Sequence, residues 1–301
     1  MKLRKIEKVI EQQVQFNARK NIFSAPEASQ FGFTAATVEL MCLRLNFQLT
    51  AEEEEQLIDF TMRKALHAFY EINQYYNFGQ AEETALKAIY KTLLDEIRQM
   101  DNAEDVLLNV VMVRHYARLQ SWLKTSNPFA EAIYLPEVSS VKDTVVCEQY
   151  AAGMQVELLH LSDLQGPVLD IGCGTDALLV NHLRSEGHEA FGLERDAVPS
   201  AYIFRHSWFD FHFEANSWGT IISNLGFSNH FIHHHLRSDG DYVKYARKYM
   251  EILHALKPGG SFYYAPDLPF IEAYLCSETF RITRQDIAET GYKSACITRL
   301  K

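Results

Sequence analysis

The chain has 301 residues and a formal net charge of −10 at pH 7, from 29 Lys+Arg against 39 Asp+Glu. With 47% hydrophobic and 23% charged residues it has the composition of a folded globular protein, which excludes wholesale disorder. The acid excess is shared equally by the two halves, so no basic tail or domain supplies the electrostatic footprint of nucleic-acid binding, and no nucleic-acid partner is expected.

The length suits two units. Met1–Lys5 resembles the start of a signal peptide, but Glu7, Lys8, Glu11 and Gln12 follow where an apolar stretch would be needed. No run approaches the roughly 18 apolar residues of a membrane span. Cys42, Cys147, Cys173, Cys276 and Cys296 are odd in number and scattered, without a C-x-x-C pair. They read as reduced thiols and not as a disulfide frame or zinc site, so a cytoplasmic location without membrane contact is expected.

In chain order, Ile6, Val9, Ile10 and Val14 recur at helical spacing among polar residues and predict an amphipathic first helix. Thr50-Ala51-Glu52-Glu53 has the spacing of a capping box, and the run Glu52–Glu55 then lies in a first turn that the helix dipole stabilises. Further helices are predicted over Ala81–Met100, Ala103–Leu123 and Asp143–Leu161, with Pro128 and Pro136 punctuating the stretch between the last two. Residues 1–142 are expected to form a helical domain that serves as a lid, a substrate element or a dimerisation surface.

The pattern changes at Gln165-Gly166-Pro167. Short apolar runs follow at Val168–Ile171, Ala190–Leu193, Thr220–Ser223 and Ser261–Ala265, separated by helical segments. Such alternation predicts a parallel sheet in an α/β domain spanning 143–301. Phe280–Thr283 and Lys293–Arg299 are two more candidate strands, around a helix-like Arg284–Thr290.

Val168-Leu169-Asp170-Ile171-Gly172-Cys173-Gly174-Thr175-Asp176 reads as a buried strand running into a glycine turn and then a helix. A side chain at Gly172 or Gly174 would hold a ligand away from the backbone. About twenty residues on, Glu194 ends the second strand, where a carboxylate can accept both ribose hydroxyls of an adenosine. Gly172, Gly174 and Ala177 also satisfy the loose dinucleotide fingerprint. Asp170 and Asp176 weigh against a pyrophosphate there, because that group wants bare amides and positive dipole. Flanking acids suit a cationic ligand such as S-adenosylmethionine, which has a sulfonium, an ammonium and no phosphate.

On these residues the sequence resembles the class I S-adenosylmethionine-dependent methyltransferases. Asp170-Ile171-Gly172-Cys173-Gly174-Thr175 is similar to their first motif, and Leu256-Lys257-Pro258-Gly259-Gly260 to the turn before their fifth strand. The likeness covers about half the chain, from Asp143 onward. Asp176 departs from it where many members have a third glycine, and Trp218-Gly219-Thr220 where an aromatic followed by Asp is common. The resemblance implies a Rossmann-like, doubly wound, mostly parallel seven-stranded sheet preceded by an all-helical N-terminal domain. It implies S-adenosylmethionine as cofactor and S-adenosylhomocysteine as product. Gly172, Cys173 and Gly174 would form the cofactor loop, with Asp170 beside it and Glu194 on the ribose. Asp210 would read the adenine amino group with Phe211 on the ring, and Asn224 would face the methionine portion. Tyr150, on the helix before the first strand, either covers the sulfonium or packs on the sheet.

Ten of the twelve histidines fall at or after His160, and His230-Phe231-Ile232-His233-His234-His235 follows the fourth strand, near the edge where parallel sheets bind ligands. A base is needed only if the acceptor must lose a proton; His230 is then the first choice and His233 the second. A metal site or a run of solvent-facing imidazoles are the alternatives, and no metal is expected. Asp267 either lines the acceptor pocket or caps the next helix, with the cap favoured; Tyr263 and Tyr264 read as strand packing. Cys173 has no neighbouring base and is not expected to act as a nucleophile. The expected activity is methyl transfer to an oxygen or nitrogen of a small molecule by in-line displacement, with a homodimer as one use of the helical half. Methylation of a protein or RNA, a NAD-linked oxidoreductase, and a cofactor-binding protein without turnover are the alternatives.

Overall fold

The computed structural model describes residues 2–24, 31–42, 49–100, 105–134, 136–137, 150–287 and 290–301. The chain divides into two compact units, Met1–Thr144 and Val145–Lys301.

The described part of the first unit is helical: α1 (Lys2–Asn17), α2 (Ala35–Cys42), α3 (Ala51–Ile72), α4 (Gln80–Gln99), α5 (Asp105–Ser126) and α6 (Phe129–Ile133). Sequence spacing did not separate α2 or α6, which are too short to show several turns of periodicity. The capping box at α3 is formed: the Glu53 amide donates to Thr50 Oγ1 at 3.2 Å, and the Thr50 amide to Glu53 Oε2 at 2.9 Å. The acids of this turn do more than complement the helix dipole. Glu54 pairs with Arg98 at 2.6 Å and Glu55 with Lys87 at 2.5 Å, tying α3 to α4. Trp122, Phe78, Phe69 and Tyr76 form the aromatic centre of the core, with Phe78 and Trp122 stacked at 4.6 Å.

The second unit contains a seven-stranded sheet among the described residues, in the order β3-β2-β1-β4-β5-β7-β6. Its strands are β1 (Val168–Ile171), β2 (Ala190–Leu193), β3 (Ile203–Phe204), β4 (Trp218–Asn224), β5 (Leu256–Ala265), β6 (Phe280–Asp286) and β7 (Lys293–Arg299). All neighbours pair in parallel except β7, which is antiparallel to both β5 and β6. This is the doubly wound, mostly parallel sheet that the sequence predicts. Every residue of β1 and β4 is buried, as central strands covered on both faces must be. Alternation along the strands feeds two cores. Leu169, Ile171 and Ile221 pack with α9 (Phe227–Leu236) and α10 (Tyr242–Ala255), whereas Val168 and Ile222 pack with α7 (Ala152–Leu159) and α8 (Leu178–Ser185).

Three expectations need correction, and one strand carried no sequence signal. The two-residue β3 is too short to register as an apolar run. The Lys257–Gly260 turn lies within β5, where Gly259 at φ +82 and a register shift opposite Trp218/Thr220 absorb it. Arg284–Asp286 are strand, not helix, because they pair with Lys293–Ala295 across a hairpin. The helix expected from Asp143 starts only at Ala152 in the described residues, with 143–149 lying outside them.

Gly219 is fixed by close approach. A Cβ on it would stand 2.5 Å from the Gln165 carbonyl oxygen, so only glycine lets β4 pass the chain entering β1.

Candidate cofactor site

The site is built where β1 and β2 end. Gly172 (φ +78) and Gly174 (φ +74) turn the chain in a region that favours glycine. The Gly172 amide donates to the Leu193 carbonyl at 2.8 Å, closing the loop onto β2. Glu194 locks it further: Oε2 accepts from the Gly174 amide and Oε1 from the Asp196 amide, both at 3.3 Å. A Cβ on Gly192 would meet Cys173 Sγ at 2.6 Å and Ile203 Cδ1 at 2.8 Å, so these two side chains pack directly over its backbone and would have to shift to admit one. The Cys173 thiol is thereby packed into the core, so this residue belongs to the loop through its backbone and not its side chain.

Asp170 lies opposite Gly192 in the β1–β2 register and is 3% exposed. Burial, and then the neighbouring Glu194 charge, push its carboxyl pKa up to about 7. A buried carboxyl beside a second acid gains most from a cationic partner. Asn224 ends β4 at 3% exposure, and neither its amide nitrogen nor its amide oxygen has a hydrogen-bond partner among the described residues. A buried primary amide left with both ends unmatched is costly, and an occupant with both donor and acceptor groups would relieve it. Ser223, which sequence reasoning missed, staples the floor: its hydroxyl donates to the Ile171 carbonyl and accepts from the Phe227 amide, both at 3.0 Å.

The aromatic beside the loop is Trp208 and not Phe211. A Cβ on Gly172 would stand 3.6 Å from the Trp208 ring. The indole nitrogen of Trp208 is buried and faces the Tyr245 hydroxyl. Phe211 is committed to packing against Phe204 at 5.6 Å and Phe213 at 4.9 Å, and Asp210 before it is exposed in a turn. The segment Trp208-Phe209-Asp210-Phe211 holds three aromatics, and only folding selects among them. Tyr150 stands in a bend ahead of α7, not on a helix, and its carbonyl accepts from Gln155 Nε2 at 2.9 Å.

The four histidines of α9 take separate tasks. His230 is 4% exposed, with its ring edge-on to Trp208 at 5.0 Å and Nδ1 3.5 Å from the Tyr245 hydroxyl. His233 Nε2 accepts from Arg237 Nη1 at 2.9 Å, and Arg237 also pairs with Asp239. Burial, followed by the Arg237 charge, pushes the His233 pKa down to about 4. With its lone pair engaged, His233 is not placed to act as a general base at neutral pH, contrary to expectation. His234 accepts the Asp241 amide at 3.1 Å and stacks on Tyr245, while His235 stacks on Phe270 at 3.8 Å. They link α9 to α10 and to α11 (Pro269–Glu272).

Asp267 does not cap α11; Leu268 holds that position. Asp267 pairs instead with Arg284 Nε at 3.4 Å, beside a buried network in which Glu272 accepts from the Tyr264 hydroxyl at 2.5 Å, the Leu268 amide at 2.6 Å and Arg284 Nε at 2.8 Å. Among the described residues no group of three or more His, Cys, Asp or Glu side chains is arranged to hold a metal. No helix among them is long and apolar enough to cross a membrane.

The strand order and the carboxyl-edge loop together define a Rossmann-like α/β unit with a candidate ligand site at the ends of β1, β2 and β4. No protein-family description matches the sequence, and no curated protein does. Among solved structures the chain is similar to an S-adenosylmethionine-dependent methyltransferase from Bacteroides fragilis in complex with S-adenosylhomocysteine. That match has 13% identity over 54% of this chain and 84% of the other, with a TM-score of 0.37. A methyltransferase from Mesorhizobium loti matches at 21% identity over 49% of this chain and 64% of its own, TM-score 0.29. A 16S rRNA methyltransferase from T. Thermophilus matches at 14% identity over 49% and 39%, TM-score 0.32.

Proposed function

We propose that the chain is an S-adenosylmethionine-dependent methyltransferase and that its acceptor is a small molecule. The observation that carries the cofactor reading is the pairing of a glycine loop with two acids at one sheet edge, Asp170 buried behind it and Glu194 bound to it. When bound, S-adenosylmethionine supplies a sulfonium-activated methyl group that an acceptor displaces in line.

The residues of the chain then divide the work. Glu194 stays oriented by the Gly174 and Asp196 amides and offers its remaining lone pairs to the ribose hydroxyls. Asp170 gives the cationic portion a counter-charge within the buried wall. Asn224 finds in the amino-acid portion the donor and acceptor that its amide lacks in the protein. Trp208 closes the loop beside Gly172 and helps keep water from the transfer. His230 acts as a positioning residue behind Trp208, buried too deeply to take a proton from an acceptor itself.

The net charge of −10 supports a small-molecule acceptor, since a nucleic-acid substrate is normally met by a basic surface. Titration calorimetry of the whole chain with S-adenosylhomocysteine, and separately with NAD, tests the cofactor. Affinity for the first without the second is expected; the reverse order removes the reading. Mass detection of a product 14 Da heavier in a metabolite extract supplied with S-adenosylmethionine then tests the acceptor class.

A further inference from the structure

The helical unit contains a cavity of about 380 Å³, within the range of small-molecule sites. It is lined from several helices, by residues that include Ile10, Met41, Ala65, Tyr90, His115 and Tyr116. The cavity is partly open to solvent, and its largely apolar wall lacks the dispersion contacts that a close-packed interior supplies.

One wall residue is polar, buried and unmatched. His115 is 4% exposed, and its Nδ1 has no hydrogen-bond partner among the described residues. The rings of Tyr90 and Tyr116 flank the imidazole at 5.4 and 5.5 Å, and the Tyr116 hydroxyl is hydrogen-bonded to Asn17. Burial pushes the His115 pKa down to about 4, so the ring is neutral at pH 7. The cations at the cavity are engaged: Arg98 pairs with Glu54 at 2.6 Å, and Lys20 donates to Asn17 Oδ1 at 3.1 Å. Much of the rest of the wall is apolar, and burying a charge against it costs far more than burying a neutral group.

We propose that this cavity binds an uncharged, mainly apolar small molecule carrying one hydrogen-bonding group, which His115 Nδ1 receives. The site lies within residues 6–134 and stands apart from the cofactor reading, so either can fail without the other. An occupant would restore the missing contacts and stabilise the helical unit by mass action.

N-phenyl-1-naphthylamine is a suitable probe, being neutral and aromatic with a single N–H. The whole chain, labelled at alanine methyl groups, is titrated with it and followed by fluorescence and NMR. One equivalent is expected to bind saturably, with cross-relaxation from the probe rings to the Ala65 and Ala68 methyls. His115→Phe is expected to weaken this probe about tenfold, the worth of one hydrogen bond to a buried group, and to leave 1-phenylnaphthalene, which has no N–H, unchanged. Ala65→Trp should fill the space and abolish binding; if that variant does not fold, Ala68→Leu and the methyl contacts decide. Absence of saturable binding, or binding without contacts to either methyl, overturns the site. Equal affinity of His115→Phe and the unaltered chain for the amine overturns the role of Nδ1.

Discussion

Asp170 gives the sharpest test of a cationic ligand, because its protonation and the binding of such a ligand oppose each other. Its carboxyl is 3% exposed and sits beside Glu194, with a pKa pushed up to about 7 from an ordinary 3.8. Holding it ionised in the folded chain without a cationic partner therefore costs about 4 kcal/mol relative to the unfolded chain. The unfolded state binds fewer protons than the folded one between these two values. The stabilisation from the protonated form is thus present below pH 4 and is lost as pH rises through about 7. A cationic ligand needs the ionised form and pulls the pKa back down. The apparent dissociation constant should rise about tenfold, or about 1.4 kcal/mol, between pH 8 and pH 6, with proton release on binding near pH 7. Calorimetry with S-adenosylmethionine, which carries the sulfonium that S-adenosylhomocysteine lacks, in buffers of different ionisation enthalpy reads both quantities, and Asp170→Asn separates them from titration of the ligand's own amine. Equal affinity at the two pH values with no proton release, or a pH dependence that survives in Asp170→Asn, would refute the reasoning.

Three further outcomes follow from the same structure. Glu194→Ala should weaken S-adenosylhomocysteine about a hundredfold in calorimetry, since it removes two charge-assisted hydrogen bonds and frees the Gly174 amide; unchanged affinity would remove the ribose assignment. Gly219→Ala should destabilise the second unit by about 2 kcal/mol or more in urea unfolding, because the new Cβ meets backbone 2.5 Å away. A midpoint within error of the parent chain would show that the β4–Gln165 approach is not tight. Glu272→Gln should cost about 1–2 kcal/mol in the same assay, since it weakens the hydrogen bonds a buried carboxylate accepts from Tyr264, Leu268 and Arg284 while Arg284 keeps Asp267; a midpoint equal to that of the parent chain would indicate that the network is redundant.

The sequence determined most of the glycine loop. Gly172 and Gly174 are required by backbone geometry that local spacing reveals, and Asp170 and Glu194 lie at strand ends whose apolar runs are plain in one dimension. The capping box at Thr50 was equally legible, because both of its partners lie within four residues. What stayed hidden depends on contacts between distant segments. Trp208 rather than Phe211 flanks the glycine loop because β3 and the turn after it direct one ring toward Gly172 and the other into the core. Arg284 reads as helical by composition but lies in a strand, because its ladder partner Ala295 and its carboxylate partner Glu272 come from elsewhere in the chain. The histidine run looked like one catalytic cluster. On a helix its neighbours point in different directions, so His230 is buried against Trp208, His233 is held by Arg237 and His235 stacks on Phe270. The cavity beside His115 left no trace in sequence, since a void arises from the packing of whole helices and not from any residue's own character.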